Sequence, residues 1–274
     1  MKCHQRIIRE QRLEADLVNL NFDSSNLKAS DFSLKQEILN SEIIDFIKTY
    51  EWLGNIGTKP KWVFTARYNN LLGGVVLINE PSSYSNVLGK DTKKYEALIQ
   101  RGACASWTPK NLGSRLIMFS CKEMVKTTPK RAFVAYADSS ANEIGTIYQA
   151  CNFDYLGCNF GTKNMLTHPK FKKGAPFSKQ SLYRTSTLKK WAKENNVKIE
   201  PSWIKENGFK DLSKIPQDVN KAWKNWINSI VKESEKIQIS PKGKYILVLG
   251  SNKKESLKLN SLKNYTPLPY PKRS

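Results

Sequence analysis

The apolar positions of this chain fall mostly into short runs, with a few longer helical stripes. Between Phe32 and Tyr50, the spacing of Leu34, Ile38, Ile43, Phe46 and Ile47 predicts one amphipathic helix, with Asp31 or Ser33 as its cap. The residues before it alternate charge and apolar character without a clear period. A Gly/Pro/Thr loop over 54–61 leads into two predicted strands, 61–68 and 72–79, joined by Asn69-Asn70 as a hairpin. Pro81-Ser82-Ser83 breaks the sheet, and a polar excursion to Lys94 precedes a short helix-like piece ending near Leu98. Gln100 to Trp107 predicts another strand, Thr108 to Asn111 a turn. Leu112, Leu116, Ile117, Phe119, Ser120 and Met124 then predict a helix with one strong apolar face.

Phe133 to Tyr136 reads as a buried strand that stops at Asp138-Ser139-Ser140, whose oxygens suit turns and helix caps. Ile144, Ile147, Tyr148 and Cys151 recur at helical spacing, and a strand is predicted over Phe153–Gly157. The fold class is therefore α/β, a mixed sheet flanked by helices. After residue 161 the texture changes. Lys163 to Lys179 is basic and carries Pro169, Gly174 and Pro176, as a loop or strand pair laid over a phosphate backbone would. Helices are predicted over 186–195 and 219–235, the second with Trp223 and Trp226 as packing residues. A strand is predicted over 245–249. The expected division is an N-terminal helical segment (1–50), an α/β core (51–166) and a basic C-terminal extension (167–274).

Charge sharpens this picture. The chain of 274 residues carries a net charge of +21. Residues 161–274 hold 25 Lys and Arg against 8 Asp and Glu, whereas residues 1–160 hold 20 against 16. An AT-rich genome would enrich lysine, but it would not place the excess on one side of residue 160. A polyanion is the natural partner, and nucleic acid is the commonest polyanion. No segment approaches a membrane span, and the charged N-terminus does not resemble a signal peptide, so the expected location is cytoplasmic. The five cysteines (Cys3, Cys104, Cys121, Cys151 and Cys158) are widely spaced and read as reduced thiols. The two histidines, His4 and His168, lie near no cysteine pair, which argues against zinc.

The segment Ile147-Tyr148-Gln149-Ala150-Cys151-Asn152-Phe153 resembles the φ-Tyr-x-x-x-Gly-Phe stretch of the GCN5-related N-acetyltransferase (GNAT) superfamily. Residues 98–157 follow that superfamily's element order. The resemblance implies a GNAT-like fold and acetyl-CoA or another acyl-CoA as cofactor. Its pyrophosphate would be held at the start of the helix after the central strand, where free backbone amides carry partial positive charge. The superfamily loop reads Gln/Arg-x-x-Gly-x-Gly/Ala. Here it is Lys110-Asn111-Leu112-Gly113-Ser114-Arg115, with Lys110 and Arg115 as departures. A narrower set, comprising Arg101, Pro109-Lys110-Asn111, Ser114, Tyr136-Ala137-Asp138, Gly145 to Ala150 and the terminal Leu268 to Arg273, is similar to the Mom-type DNA-modification proteins of bacteriophages. That resemblance implies alteration of the adenine N6 amine to a carbamoylmethyl-type group, which shields phage DNA in the bacterial host cytoplasm from restriction.

Within this frame Tyr148 is the expected proton donor to a departing thiolate; otherwise it is a half-buried core tyrosine. Asp138 closes the central strand, where α/β sheets place their ligands, and could take the amine's proton, hold the base, or cap a helix. Ser140 could act beside it or cap. Arg101 could bind a cofactor or DNA phosphate or be a solvated strand-edge residue. Lys110, Asn111, Gly113 and Ser114 could line a pyrophosphate loop, although Asn111 could simply cap its helix. Chemistry on a paired base needs the base extruded and stacked, for which Tyr68, Trp107, Tyr136 and Tyr155 are candidates. Lys170, Lys172, Lys173 and Arg184 would contact phosphates or form a solvated lysine surface. The rival readings are a conventional N-acyltransferase acting on a protein or RNA amine, and a non-catalytic DNA-binding protein on the same scaffold.

Overall fold

The computed structural model describes residues 2–89, 92–158, 164–205, 208 and 210–272. In chain order the elements are α1 (His4–Val18), β1 (Ser33–Glu37), α2 (Ser41–Tyr50), β2 (Trp62–Tyr68), β3 (Leu71–Asn79), β4 (Glu96–Cys104), α3 (Leu112–Thr127), β5 (Ala132–Asp138), α4 (Thr146–Gln149), β6 (Asp154–Tyr155), β7 (Asn164–Thr167), α5 (Lys179–Leu182), α6 (Thr185–Glu194), α7 (Gln217–Glu233), β8 (Glu235–Gln238), β9 (Lys242–Val248) and α8 (Lys253–Ser261). They form two compact units, residues 1–160 with 241–274, and residues 161–240.

The first unit is built on a sheet in the order β1-β2-β3-β4-β5-β9-β6. Only the β4–β5 pair is parallel. The hairpin predicted around Asn69-Asn70 forms, because both asparagines adopt left-handed φ (47° and 65°), the conformation a tight hairpin turn requires. α3 packs its apolar stripe (Leu112, Leu116, Ile117, Cys121, Met124, Val125) into the main core with Phe64, Val75, Leu77 and Phe133. Each such fully buried Leu, Ile or Met contributes about 1.5–3 kcal/mol.

The structure corrects several expectations. The helix predicted over 32–50 is two elements. Ser33–Glu37 pairs with β2, from Ser33 opposite Arg67 to Glu37 opposite Val63. The helix starts only after Asn40, whose side chain accepts the Ile43 N–H at 3.0 Å. Leu34 and Ile38 therefore match the helical period only by coincidence, and Ile38 is exposed. The aperiodic N-terminus contains α1, which is held by polar contacts rather than an apolar stripe. Arg9 donates to the carbonyls of Ser106 (3.1 Å) and Thr108 (2.8 Å), and Asp16 accepts the buried Ser106 hydroxyl at 2.6 Å. The expected basic extension 167–274 is not one piece. β9 enters the main sheet between β5 and β6, so 241–274 belongs to the first unit and the second unit begins at 161 rather than 167. Residues 1–50 likewise belong to the first unit.

The chain after β9 straps β6. Asp154 accepts Lys263 Nζ at 2.7 Å and the Tyr265 hydroxyl at 2.8 Å, and the Tyr270 hydroxyl donates to Phe153 O at 2.8 Å. The terminal Arg273 lies outside the described residues.

The second unit has its own core, in which Trp191, Trp203, Trp223, Ile227 and Ile230 pack with Phe171 and Phe177. Trp223 is buried on α7 and Trp226 is partly buried, so both are packing residues as expected. Of the strand pair expected between 163 and 179, β7 forms; Leu166 bridges Phe177 within that segment through two backbone hydrogen bonds of 2.8 Å, and the strand's full ladder is with β8.

Candidate active site

β4 and β5 are hydrogen-bonded only at their starts, Glu96–Leu98 against Ala132–Val134. The cause lies on the other edge of β4. Its register with β3 jumps between Leu77 and Ile78, opposite Arg101 and Ile99, leaving Gln100 as an extra residue. Such a bulge bends and twists its strand. Gln100 is fixed there because its amide donates to Ile56 O (2.6 Å) and Thr58 O (2.7 Å) and accepts from Asn79 (3.1 Å). Beyond this point β4 follows β3 and β5 follows β9, and a cavity of about 420 Å³ opens between them. That is the size of a small-molecule site.

Six residues predicted from the sequence line this cavity: Tyr148, Asp138, Arg101, Lys110, Gly113 and Tyr136. Tyr148 is set by Gly145, whose φ is +68° and where a Cβ would lie 2.4 Å from the Tyr245 ring. The Tyr148 ring packs on Phe153 (5.5 Å) and Tyr245 (5.4 Å). Burial pushes its phenol well above the usual range; Glu143, Cys151 and Glu51 push it further, against Arg101. The residue as a whole is only partly buried, because one side faces the cavity. Tyr148 therefore keeps its proton in the neutral range.

Asp138 caps the short turn that follows β5. It accepts the Ser140 N–H at 3.0 Å and the Ser140 hydroxyl at 2.6 Å, and pairs with Lys242 of β9 at 2.8 Å. Burial raises its carboxyl, but Lys242 and Ser140 outweigh that and hold it below its usual value. Ser140 itself is exposed and serves Asp138. Arg101 is not a solvated strand-edge residue. It donates to Asn55 O (3.2 Å) and Gln100 O (2.8 Å) and stands 3.9 Å from buried Glu51.

At the start of α3, Asn111 is exposed and its side chain makes no cap, contrary to the capping alternative. Ser114 Oγ donates to Asn111 O at 3.1 Å. Arg115 is engaged elsewhere, on the carbonyls of Ala29 and Phe32, so it is a structural tie and does not substitute for a phosphate ligand. Tyr68 and Trp107 are also corrected. They pack with Phe22 and Phe32 at centroid distances of 4.9–5.7 Å, Trp107 buried in the main core and Tyr68 partly buried against it, and neither lines the cavity. Tyr155 packs against Tyr245, the rings tilted by 37° with centroids 5.0 Å apart. In the second unit Lys170, Lys172 and Arg184 are exposed, and burial and the Arg184 charge lower the Lys172 ammonium. The Lys173 side chain lies outside the described residues.

Three cavity residues escaped the sequence reading. Glu143 sits on the loop between Asp138 and Gly145, and burial pushes its carboxyl up to about 7, aided by the Asp138 and Glu51 charges. Glu51 follows α2 and is raised by burial, with Arg101 opposing. Lys242 is more than 100 residues from its partner in sequence. A carboxylate between a strand-ending aspartate and a helix-starting glycine was the one local signal available.

The model of the Mom protein family matches residues 63–212, more than half of the chain, and the protein belongs to that family. No curated protein matches it. Similar solved structures include a Bacillus subtilis acetyltransferase in complex with CoA (13% identity, 80% of this chain, 99% of that chain, TM-score 0.38). Others are a GNAT family acetyltransferase from Elizabethkingia anophelis with acetyl-CoA bound (12%, 80%, 99%, 0.38) and an IAA acetyltransferase from Bacillus cereus (13%, 79%, 100%, 0.37).

Proposed function

We propose that the protein is an acyl-CoA-dependent transferase that modifies the exocyclic N6 amine of adenine in double-stranded phage DNA and so protects it from restriction. The observation that carries this reading is the convergence of Tyr148, Asp138, Arg101, Lys110 and Gly113 on one cavity where β4 leaves β5.

The residues present fit an acyl-CoA. The first amides of α3 have no side-chain cap, Lys110 adds positive charge beside them, and Gly113, where a Cβ would lie 2.9 Å from Ile147, lets α3 approach the start of α4 on the cavity wall. Lys110, Gly113 and Ser114 would hold the pyrophosphate, and the bound group would supply an activated thioester. Tyr148 gives its phenolic proton to the departing sulfur. Tyr136, half-buried on β5 and facing the cavity, offers a ring for the extruded base. Acyl transfer forms an amide, whereas a carbamoylmethyl-type product has CH2 on nitrogen; only the bond-forming transfer is assigned to this cavity. The basic second unit, with 17 Lys and Arg against 7 Asp and Glu in residues 161–240, supports a DNA partner.

A conventional transferase acting on a protein amine is the second reading, favoured by the carboxylates of Glu51, Asp138 and Glu143 on the cavity wall. Mass analysis of nucleosides from bacteria expressing the chain separates the two. A shifted deoxyadenosine that vanishes with Tyr148→Phe is the expected result. Unshifted nucleosides beside acylated protein would sink the DNA reading.

A further inference from the structure

We propose that Glu143, not Asp138, is the catalytic base that takes the proton from the substrate amine, and that it passes this proton on to Tyr148. The inference rests on the acyl-transfer reading of the cavity.

The geometry separates the two carboxylates. Asp138 is saturated: Lys242 Nζ, the Ser140 N–H and the Ser140 hydroxyl all donate to it within 3.0 Å. A carboxylate held this way is a poor base, because each donor must be released or weakened before a proton can bind. Glu143 stands in the same cavity with a different set of neighbours. The chain turns through two left-handed residues, Asn142 (φ 55°) and Gly145 (φ 68°), between β5 and α4, and Glu143 and Tyr148 both line the cavity, close enough for the Glu143 charge to act on the phenol. Its own N–H is tied to Asp138 O at 3.1 Å, so the loop is anchored to the end of β5.

The charged and titratable groups facing Glu143 come from every surrounding element. They are Asp138 on β5, Glu51 after α2, Lys242 on β9 and Tyr148 on α4. Three of the four cations on the wall are committed elsewhere: Lys242 to Asp138, Arg101 to two carbonyls and Glu51, and Arg9 to the carbonyls of Ser106 and Thr108; the fourth, Lys110, stands at the start of α3 and is not among the charges that act on Glu143. Burial therefore dominates Glu143 and brings it to about 7, where an acid–base catalyst works best near neutral pH. Among charged groups, Glu143 acts most strongly on the Tyr148 phenol.

The proton count closes without an added reagent. The amine nitrogen bonds to the thioester carbonyl carbon and the carbon–sulfur bond breaks. Glu143 takes the proton leaving nitrogen, Tyr148 gives its proton to sulfur, and the Glu143 carboxyl returns a proton to the Tyr148 oxygen. Amine and thioester become amide and thiol, and both side chains end as they began.

Two measurements test this. Infrared difference spectra of the purified full chain, wild type minus Glu143→Gln, read carboxyl protonation without donor or DNA. The expected result is a carboxylic acid band that titrates near pH 7 and is missing from the variant. Extracts of bacteria expressing the chain, supplied with plasmid duplex at a series of pH values, report modification by nucleoside mass. The wild-type rate should rise with pH through the infrared midpoint. Glu143→Gln should lose about a hundredfold or more at every pH. Glu143→Asp should recover part of the rate, and Asp138→Asn should keep a rising pH limb, moved to lower pH by loss of the Asp138 charge that raises Glu143. Modification by Glu143→Gln at the wild-type rate, or no carboxyl titrating near neutrality, overturns the proposal while leaving the DNA reading standing. A wild-type extract that leaves adenine unaltered overturns the DNA reading and this proposal with it.

Discussion

Replacing Glu143 by glutamine should make the folded protein more stable, and only above a defined pH. A carboxyl raised from 4.5 to about 7 by burial penalises the folded state once it ionises. Below pH 4.5 folded and unfolded chains both hold the proton, and Glu143 contributes nothing. Between 4.5 and about 7 the unfolded chain releases it and the folded chain keeps it, so stability falls as pH rises. Above about 7 the penalty is complete, and at about 1.4 kcal/mol per pH unit it amounts to roughly 3 kcal/mol. Glutamine keeps the shape and an acceptor oxygen but never ionises. The advantage of the variant should therefore grow from near zero at pH 4.5 to roughly 3 kcal/mol at alkaline pH, a shift of about 1–2 M in urea midpoint for a typical denaturant slope.

The assay can be confined to the first unit, because all five cysteines lie outside residues 161–240. Pulsed thiol labelling of Cys121, fully buried on α3, follows that unit's unfolding across a urea series at each pH. A midpoint difference that is the same at both pH values, or absent at alkaline pH, would show that the carboxylate is solvated and that the catalytic argument built on its burial is wrong. A gain in stability accompanied by loss of modification would be the pattern of a functional group kept at a cost to the fold.

Three further outcomes are expected. Gly145→Ala places a Cβ 2.4 Å from the Tyr245 ring at a φ of +68°, so it should lose at least about 2 kcal/mol and displace Tyr148, read by thermal unfolding and tyrosine absorbance. Asp154→Ala removes the acceptor of both Lys263 (2.7 Å) and Tyr265 (2.8 Å); it should cost about 1–3 kcal/mol and expose the segment after α8 to limited proteolysis. If Lys170, Lys172 and Arg184 neutralise phosphates, changing all three to alanine should weaken duplex binding uniformly across sequences and flatten the log–log salt slope by about 3, measured by fluorescence anisotropy.

What the sequence made legible is local. Asn69-Asn70 marks a turn with its own φ requirement, and the α3 stripe repeats through four turns against one core, so both were readable without the rest of the chain. β9 was readable as a strand but not as a member of the main sheet, because nothing near Tyr245 specifies that its partners are Ala135 and Tyr155. α1 left no period because its contacts are guanidinium and carboxylate hydrogen bonds to the β4–α3 turn. The site divides in the same way. Tyr148 and Asp138 stand in a motif; Glu143 acquires its properties from burial, and Lys242 and Glu51 join it only through the folded chain. Trp107 misled because an aromatic beside basic residues looks the same in sequence whether it packs on Phe32 or on a base.

The cavity and its proton chemistry have one structural origin. A continuous parallel ladder between β4 and β5 would leave no opening between Arg101 within β4 and Asp138 at the end of β5. The extra residue at Gln100 ends that ladder after three pairs, and the side chain of the same residue satisfies the loop carbonyls of Ile56 and Thr58. The opening draws its lining from the diverging strands and from loops after α2, β5 and β9, which is why charges distant in sequence meet there. Their pairing is unequal. Asp138 receives a lysine and a serine, Glu51 stands by an arginine, and Glu143 receives one backbone hydrogen bond from Asp138, which burial and like charge outweigh. Of three carboxylates on one wall, Asp138 is held below its usual value while Glu51 and Glu143 are raised, and the one brought to about 7 shares the cavity with Tyr148, a phenol that burial keeps protonated.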